Sequence, residues 1–312
     1  MTADDLAMSD AEFRMIAELL RGTCGLHFGS ESRYLLERRI ARRCAELGMR
    51  SFTAYHYALR NDSTGEGELG WAIDNLTTNE TYFLRERRQL EALIEEIVPA
   101  VQARRGGCGT APVSVWSAGC SSGEEPYSVV LMALEAGLAP GRDLRVYASD
   151  ISRQMLQKAR RGVYRESSFR QMDPFLREKY FTLKDGSYRI SDEVKKHVHF
   201  AHLNLLDEGK SAVLGSLDVV LCRNVIIYFD LETKRRVVRS FHQKLRPGGF
   251  LLLGHSESLI NLSTDFDLKH LRHDMVYRRP DENDPWHETA ARTLAYADRR
   301  GRSDRSGSRD GQ

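Results

Sequence analysis

A glycine-bearing loop, residues 117–126 with the sequence SAGCSSGEEP, is the first candidate for chemistry in the chain. Between a strand and a helix of a parallel sheet, such a loop lets backbone atoms approach a ligand closely. The spacing Gly119-x-x-x-Gly123 alone does not separate a cofactor site from an ordinary tight turn. Asp150 ends the next predicted strand, where its carboxylate could accept both hydroxyls of a ribose. The alternative is a helix-capping loop beside a solvated aspartate.

The charge of this loop indicates which kinds of ligand it could bind. It lacks the third glycine and the basic residues that favour a pyrophosphate, and it carries Glu124 and Glu125 instead. Two carboxylates would repel a pyrophosphate. They suit a cationic ligand, such as the sulfonium and ammonium groups of S-adenosylmethionine. The alternative is that both acids only stabilise the first turn of a helix.

Cysteine usage and charge exclude several other classes. The five cysteines are scattered and form no CxxC pair, which argues against a disulfide framework or a zinc site and for a reducing compartment. Neither Cys120 nor Cys222 has a Pro-Cys context or a clear histidine partner, so we expect neither to be a nucleophile. We expect no metal, and a net charge of +2 gives no whole-protein field for nucleic acid.

Hydropathy indicates a soluble, cytoplasmic protein. The longest apolar runs, Val129 to Leu134 and Phe250 to Leu253, are too short to span a bilayer. The N-terminus is acidic and lacks the apolar core of a secretory signal. We therefore expect no direct membrane insertion.

The elements that must position these residues fall into several segments. Residues 1–76 have helical periodicity and form a small N-terminal domain, whose first helix could be capped by Ser9. Residues 77–110 form a linker, with a long helix starting at Thr77 or Thr78 and ending before a glycine-rich break. Residues 281–312 are polar and are expected to be disordered.

Residues 111–280 alternate between strand and helix patterns, which indicates a parallel sheet with crossover helices. An insertion at about 165–200 interrupts this alternation. It contains a hairpin at 180–190 with an Asp185-Gly186 turn signal.

Seven segments carry a family resemblance. They are NETYFLR at 79–85, SAGCSSGEEPYS at 117–128, ASDI at 148–151, LNLL at 203–206, CRNVIIYF at 222–229, LRPGG at 245–249 and GHSES at 254–258. In this order they resemble the CheR family, the chemoreceptor glutamate methyltransferases of bacterial chemotaxis, over residues 10–280. The resemblance implies the α/β fold of class I S-adenosylmethionine methyltransferases: a mostly parallel Rossmann-like sheet with a small inserted antiparallel β-subdomain, plus an all-α N-terminal domain.

The resemblance also implies the site. The expected cofactor-binding residues are Asn79, Thr81, Arg85, Gly119, Glu125, Asp150, Asn204, Leu205, Arg223 and Asn224. Arg85 and Tyr228 are the expected catalytic residues, with Tyr228 facing the transferred methyl group. Two alternatives stay open: Thr77-x-x-Glu80 fits a capping box, which would make Asn79 and Thr81 helix-start residues, and Tyr228 could be a core residue.

The implied reaction is methyl transfer from S-adenosylmethionine to glutamate carboxylates of chemoreceptors, with S-adenosylhomocysteine as product. A glutamate is already ionised at neutral pH, so in-line displacement requires no general base. Nucleic-acid methylation lacks its usual Asn/Asp-Pro-Pro-Tyr or Pro-Cys element here. Methylation of another protein or a small molecule, and a non-catalytic cofactor-binding scaffold, remain as alternatives.

The predicted second helix carries the basic residues Arg38, Arg39, Arg42 and Arg43. These residues could simply form a solvated charged face. The resemblance implies instead that they dock on acidic receptor helices. The short connection 184–187 lacks the longer glycine-containing loop of members that bind a receptor pentapeptide. We therefore expect a protein that does not require the tether. We separately expect it to be a monomer.

Overall fold

The computed structural model describes residues 6–62, 67–106 and 111–281. The tail at 282–312, for which disorder is predicted, lies outside the described residues. A seven-stranded sheet forms the centre of the segment 111–281. Its strands are β1 (Val113–Ala118), β2 (Leu144–Asp150), β6 (Val198–His202), β7 (Leu217–Cys222), β8 (Leu245–Leu253), β9 (Asp267–His270) and β10 (Met275–Arg278). Their order in the sheet is β6-β2-β1-β7-β8-β10-β9.

Five strands of this sheet run parallel, and β9 and β10 add antiparallel pairs at one edge. Strand β7 is buried along its whole length, as expected when helices cover both faces of a parallel sheet. The covering and connecting helices are α7 (Glu124–Glu135), α8 (Arg153–Arg161), α10 (Asp192–Lys195), α11 (Glu208–Ser211) and α12 (Leu231–Lys244). The predicted fold class is confirmed.

The N-terminal segment forms the predicted helices α1 (Asp10–Cys24), α2 (Arg33–Glu46), α3 (Phe52–Asn61) and α4 (Glu68–Leu76). Ser9 caps α1 in a capping box with Glu12. Residues at helical spacing, including Ile16, Leu36 and Tyr55, form a separate hydrophobic core. These helices therefore make a small domain with its own buried centre.

The linker differs from the prediction. The long helix expected from Thr77 or Thr78 begins only at Arg87, as α5 (Arg87–Ala92), and continues through a π-helical turn (Leu93–Ile97) into α6 (Val98–Arg104). Leu84 and Glu86 have φ angles of 59° and 50°, which helical backbone does not allow. Glu80 is thus not at a helix start, and the capping-box alternative for Asn79 and Thr81 is wrong.

The insertion forms a three-stranded antiparallel sheet in the order β3-β5-β4, with β3 (Val163–Tyr164), β4 (Phe181–Lys184) and β5 (Ser187–Ile190), flanked by α9 (Pro174–Tyr180). Asp185 and Gly186 both have positive φ, as a two-residue hairpin turn of type I′ requires. Phe83 of the linker packs against the rings of Phe169 and Phe181, which also contact each other. The linker is thereby anchored to the insertion.

Candidate functional site

One cleft of about 1040 Å³ opens at the carboxyl ends of β1, β2 and β7, where ligands of parallel sheets bind. The N-terminal domain and the linker complete its walls. All eleven residues expected at the cofactor or reaction centre line this cleft: Asn79, Thr81, Arg85, Gly119, Glu125, Asp150, Asn204, Leu205, Arg223, Asn224 and Tyr228.

Gly119 is required by the close packing of two loops. Its φ is +83°, and a Cβ atom there would lie 2.6 Å from Cγ2 of Val225. Its backbone N–H donates to the carbonyl of Ser149, 2.8 Å away. Any side chain at this position would push apart the two loops that border the cleft.

Asp150 is 8% exposed and organises the floor of the cleft. Its carboxylate accepts backbone N–H groups from Ser121 at 2.7 Å and from Ser152 at 2.8 Å. Burial raises its pKa above the usual range, opposed by these two hydrogen bonds. Each carboxylate oxygen retains a second lone pair, so the group can still accept hydroxyl donors from a sugar.

Arg223 lies between two carboxylates. Its side chain is 2% exposed, Nη1 is 3.0 Å from Glu125 and Nη2 is 3.1 Å from Glu86. Nη2 also donates to the carbonyl oxygen of Arg85. The other oxygen of Glu125 accepts the hydroxyl of Ser117 at 2.7 Å. The contact with Glu86 has no counterpart in the sequence reasoning.

The acidic pair of the glycine loop separates in the structure. Glu125 lines the cleft, but Glu124 does not: its carboxylate accepts the hydroxyls of Ser122 at 2.7 Å and Ser168 at 3.1 Å. Burial raises the pKa of Glu124. The interpretation of both acids as ligands for a cation is therefore wrong for Glu124 and stays a prediction for Glu125, because helix geometry turns adjacent side chains about 100° apart.

Glu257 shapes the loop that carries Asn224. Its carboxylate accepts four backbone N–H groups, from Asn224 and Gly254 at 2.8 Å, Val225 at 2.9 Å and Ile227 at 3.2 Å. Burial raises its pKa against the effect of these bonds. Sequence reasoning placed this residue in a motif without giving it a role.

The N-terminal domain contributes directly to the cleft. Cys24 and Leu26 line it, which no local pattern could have indicated because they are distant from the other motifs. The Asn204 amide donates to the carbonyl of Thr23 at 2.6 Å. The carbonyl of Tyr228 accepts the N–H of His27 at 2.9 Å.

The linker places Arg85 beside the aromatic ring of Tyr82. Nη1 of Arg85 donates to the carbonyl of Glu80 at 3.0 Å, and its guanidinium carbon is 5.7 Å from the Tyr82 ring centre. Arg170 of the insertion stacks on the same ring at 3.7 Å and pairs with Glu80 at 2.8 Å. Within the described residues, Arg85 forms no ion pair.

The cleft contains buried polar atoms that fit a polar ligand such as S-adenosylmethionine. Ser121 Oγ, Arg223 Nε and Asn224 Oδ1 are buried with no hydrogen-bond partner in the described part of the chain. Buried polar atoms are normally satisfied, so an uncompensated group lining a cleft points to a ligand. The neighbouring thiols of Cys120 and Cys222 are buried and their pKa values are raised, which keeps them protonated.

The basic face of α2 is only partly free. Arg38 and Arg42 are exposed, and Arg42 pairs with Glu46 at 3.2 Å. Arg43 is engaged internally, by Glu68 at 2.6 Å. Arg39 donates to the carbonyl of Asn75.

Across residues 6–62, 67–106 and 111–281 no cluster of ligating side chains could hold a metal ion. Over the same residues, no helix is both long enough and apolar enough to cross a membrane.

Comparison with known proteins agrees with this geometry. Residues 79–275 match the model of the CheR methyltransferase, SAM binding domain, and residues 11–77 match the CheR methyltransferase, all-alpha domain. Chemotaxis protein methyltransferase 2 of Vibrio cholerae is 38% identical over 279 residues, covering 89% of this chain and 96% of that protein. The chemotaxis protein methyltransferases of Salmonella typhimurium and Escherichia coli are each 38% identical, covering 85% of this chain and 89% and 90% of theirs. The chain belongs to the CheR family and is an S-adenosylmethionine-dependent methyltransferase of the chemotaxis type.

Proposed function

We propose that this protein methylates glutamate side chains of chemoreceptors, forming methyl esters. The observation that carries the proposal is the difference in ion pairing between the two arginines that line the cleft. Arg223 is already paired with two carboxylates, whereas Arg85 has no ion pair to a described residue. Arg85 is therefore available to bind a carboxylate from outside the chain.

S-adenosylmethionine, when bound, supplies a methyl group activated by its sulfonium. Glu125 would accept the ammonium of its amino-acid part and Asp150 the ribose hydroxyls. Asn204 and Leu205 would border the adenine. The linker residues Asn79 and Thr81 would close the cleft over it, and Asn224 would lie near the sulfur.

Arg85 and Tyr228 would orient the attacking carboxylate. A glutamate is ionised at neutral pH, so the protein need only align it and exclude water. Such alignment is worth at most about 7–11 kcal/mol of the barrier. Arg85 could instead bind the carboxylate of the cofactor's methionine part, and cofactor affinity of an Arg85 variant separates the two roles.

We further propose that receptor helices dock on the exposed face of α2. Arg38 and Arg42 would make this contact, with Arg39 and Arg43 contributing less because internal acceptors hold them. The two-residue turn of the β4–β5 hairpin favours a protein that does not require a pentapeptide tether. Calorimetry with a receptor C-terminal peptide tests this: micromolar binding would contradict it.

The central experiment uses S-adenosylmethionine labelled in its methyl group and membranes from cells that overproduce a chemoreceptor. We expect label on the receptor that mild base releases, as a methyl ester requires. Label that resists mild base would indicate another acceptor atom. Cofactor binding with no transfer would indicate a scaffold. Membranes without receptor provide the control.

A further inference from the structure

Glu86 lies just outside the cleft, on the far side of the arginine that lines it. Its carboxylate is 3.1 Å from Nη2 of Arg223 and accepts the backbone N–H of His255 at 3.4 Å. Its side chain is 14% exposed. The buried guanidinium therefore has a carboxylate on each side, Glu86 behind it and Glu125 at the cleft wall.

The number of carboxylates beside Arg223 decides the sign of the net charge on this wall of the cleft. Arg223 alone would present a positive charge to the cleft, and Arg223 with Glu125 would be formally neutral. Only the second carboxylate, from Glu86, gives the group of three a net formal charge of −1. A buried charge acts strongly because water screens it little.

The backbone at Glu86 supports a functional reason for this placement. Glu86 and Leu84 have positive φ on either side of Arg85, a conformation that is unfavourable for residues other than glycine and that clusters at functional sites. The Leu84 N–H is held by the hydroxyl of Ser128 at 2.9 Å. The Arg85 carbonyl is held by Arg223. The strained stretch is thus fixed at each end.

We propose that Glu86 is a specificity-determining residue: acting through Arg223, it makes this wall net negative and thereby raises the affinity of the cleft for a cationic cofactor relative to its affinity for the neutral counterpart. The S-adenosylmethionine sulfonium is positive, whereas the thioether of the product S-adenosylhomocysteine is neutral. A negative wall binds the first relatively better than the second. Glu86 thereby assists the replacement of bound S-adenosylhomocysteine by S-adenosylmethionine without contacting either molecule.

Calorimetry on the purified full chain tests this without any turnover. Sinefungin, which carries a protonated amine in place of the sulfonium methyl, represents the cation, and S-adenosylhomocysteine represents the neutral product. We expect Glu86→Gln to lower the ratio of sinefungin to S-adenosylhomocysteine affinity by roughly tenfold. Glutamine can still accept from Arg223, so the geometry is kept. Glu86→Asn, neutral and tolerant of positive φ, replaces it if the glutamine variant does not fold.

Two further variants separate charge from structure. Glu86→Asp keeps the charge, and its ratio should equal the parental ratio. Glu91→Gln removes a carboxylate from the same segment, outside the cleft, and should also leave the ratio unchanged. An unchanged ratio in Glu86→Gln, an equal loss of both affinities, or the same shift in Glu86→Asp or Glu91→Gln would overturn the proposal.

Discussion

Glu257 offers a sharp test of how the cleft is held, because one carboxylate orders a whole loop. In Glu257→Gln the carbonyl oxygen can keep two of the four backbone N–H donors, while the new NH₂ group faces the other two. Each buried N–H without an acceptor costs about 1–3 kcal/mol, so two cost about 2–6 kcal/mol. Water from the cleft can reach part of the loop, and we expect a loss of about 2–3 kcal/mol.

The consequence for ligand binding follows from the same loop. Asn224 and Tyr228 are carried by it and line the cleft, so their displacement should weaken S-adenosylhomocysteine binding by about tenfold, equivalent to about 1.4 kcal/mol. Urea unfolding followed by circular dichroism should show a midpoint lowered by about 1 M. Calorimetry gives the affinity.

Glu178→Gln is the matched control, since Glu178 is exposed on α9. Its stability should stay within about 0.5 kcal/mol of the parental value. Parental stability and affinity in Glu257→Gln would refute the idea that the carboxylate holds the loop. Lower stability with parental affinity would show that the loop does not position cleft residues.

Three further outcomes are expected. Arg85→Ala should lower methylation about 100-fold while the urea midpoint stays parental, and a parental rate in the purified variant would contradict its assigned role. Charge reversal of Arg38 and Arg42 to glutamate should weaken receptor methylation and its salt sensitivity with cofactor affinity intact; an equal loss of cofactor affinity would count against docking there. Because burial raises the pKa of Glu124 in the folded state, the folded protein holds a proton that the unfolded chain releases, and stability should fall as pH rises from about 4.5. Glu124→Gln removes this pH dependence. The free energy of unfolding of the variant minus that of the parent, measured by urea unfolding, should therefore be larger at pH 7 than at pH 5. The opposite trend would show that hydrogen bonds to Glu124 affect its pKa more than burial does.

Local patterns were sufficient for much of the fold. Alternating strand and helix periodicity predicted the parallel sheet, and the Ser9 cap and the Asp185-Gly186 turn were each readable from a few adjacent residues. The apolar pattern predicts the start of the linker helix about ten residues too early. Apolar spacing marks the body of a helix, but the start was decided by contacts of Phe83 and Leu84 with the insertion and α7.

The sequence by itself determined which residue types line the cleft, because motifs at strand ends must meet at one edge of a parallel sheet. It did not determine how those residues divide their work. Only the tertiary structure turned Glu124 away from the cleft, set Glu86 behind Arg223, and brought Cys24 and Leu26 of the N-terminal domain to the wall. These assignments depend on contacts between residues far apart in the chain, which local periodicity does not encode.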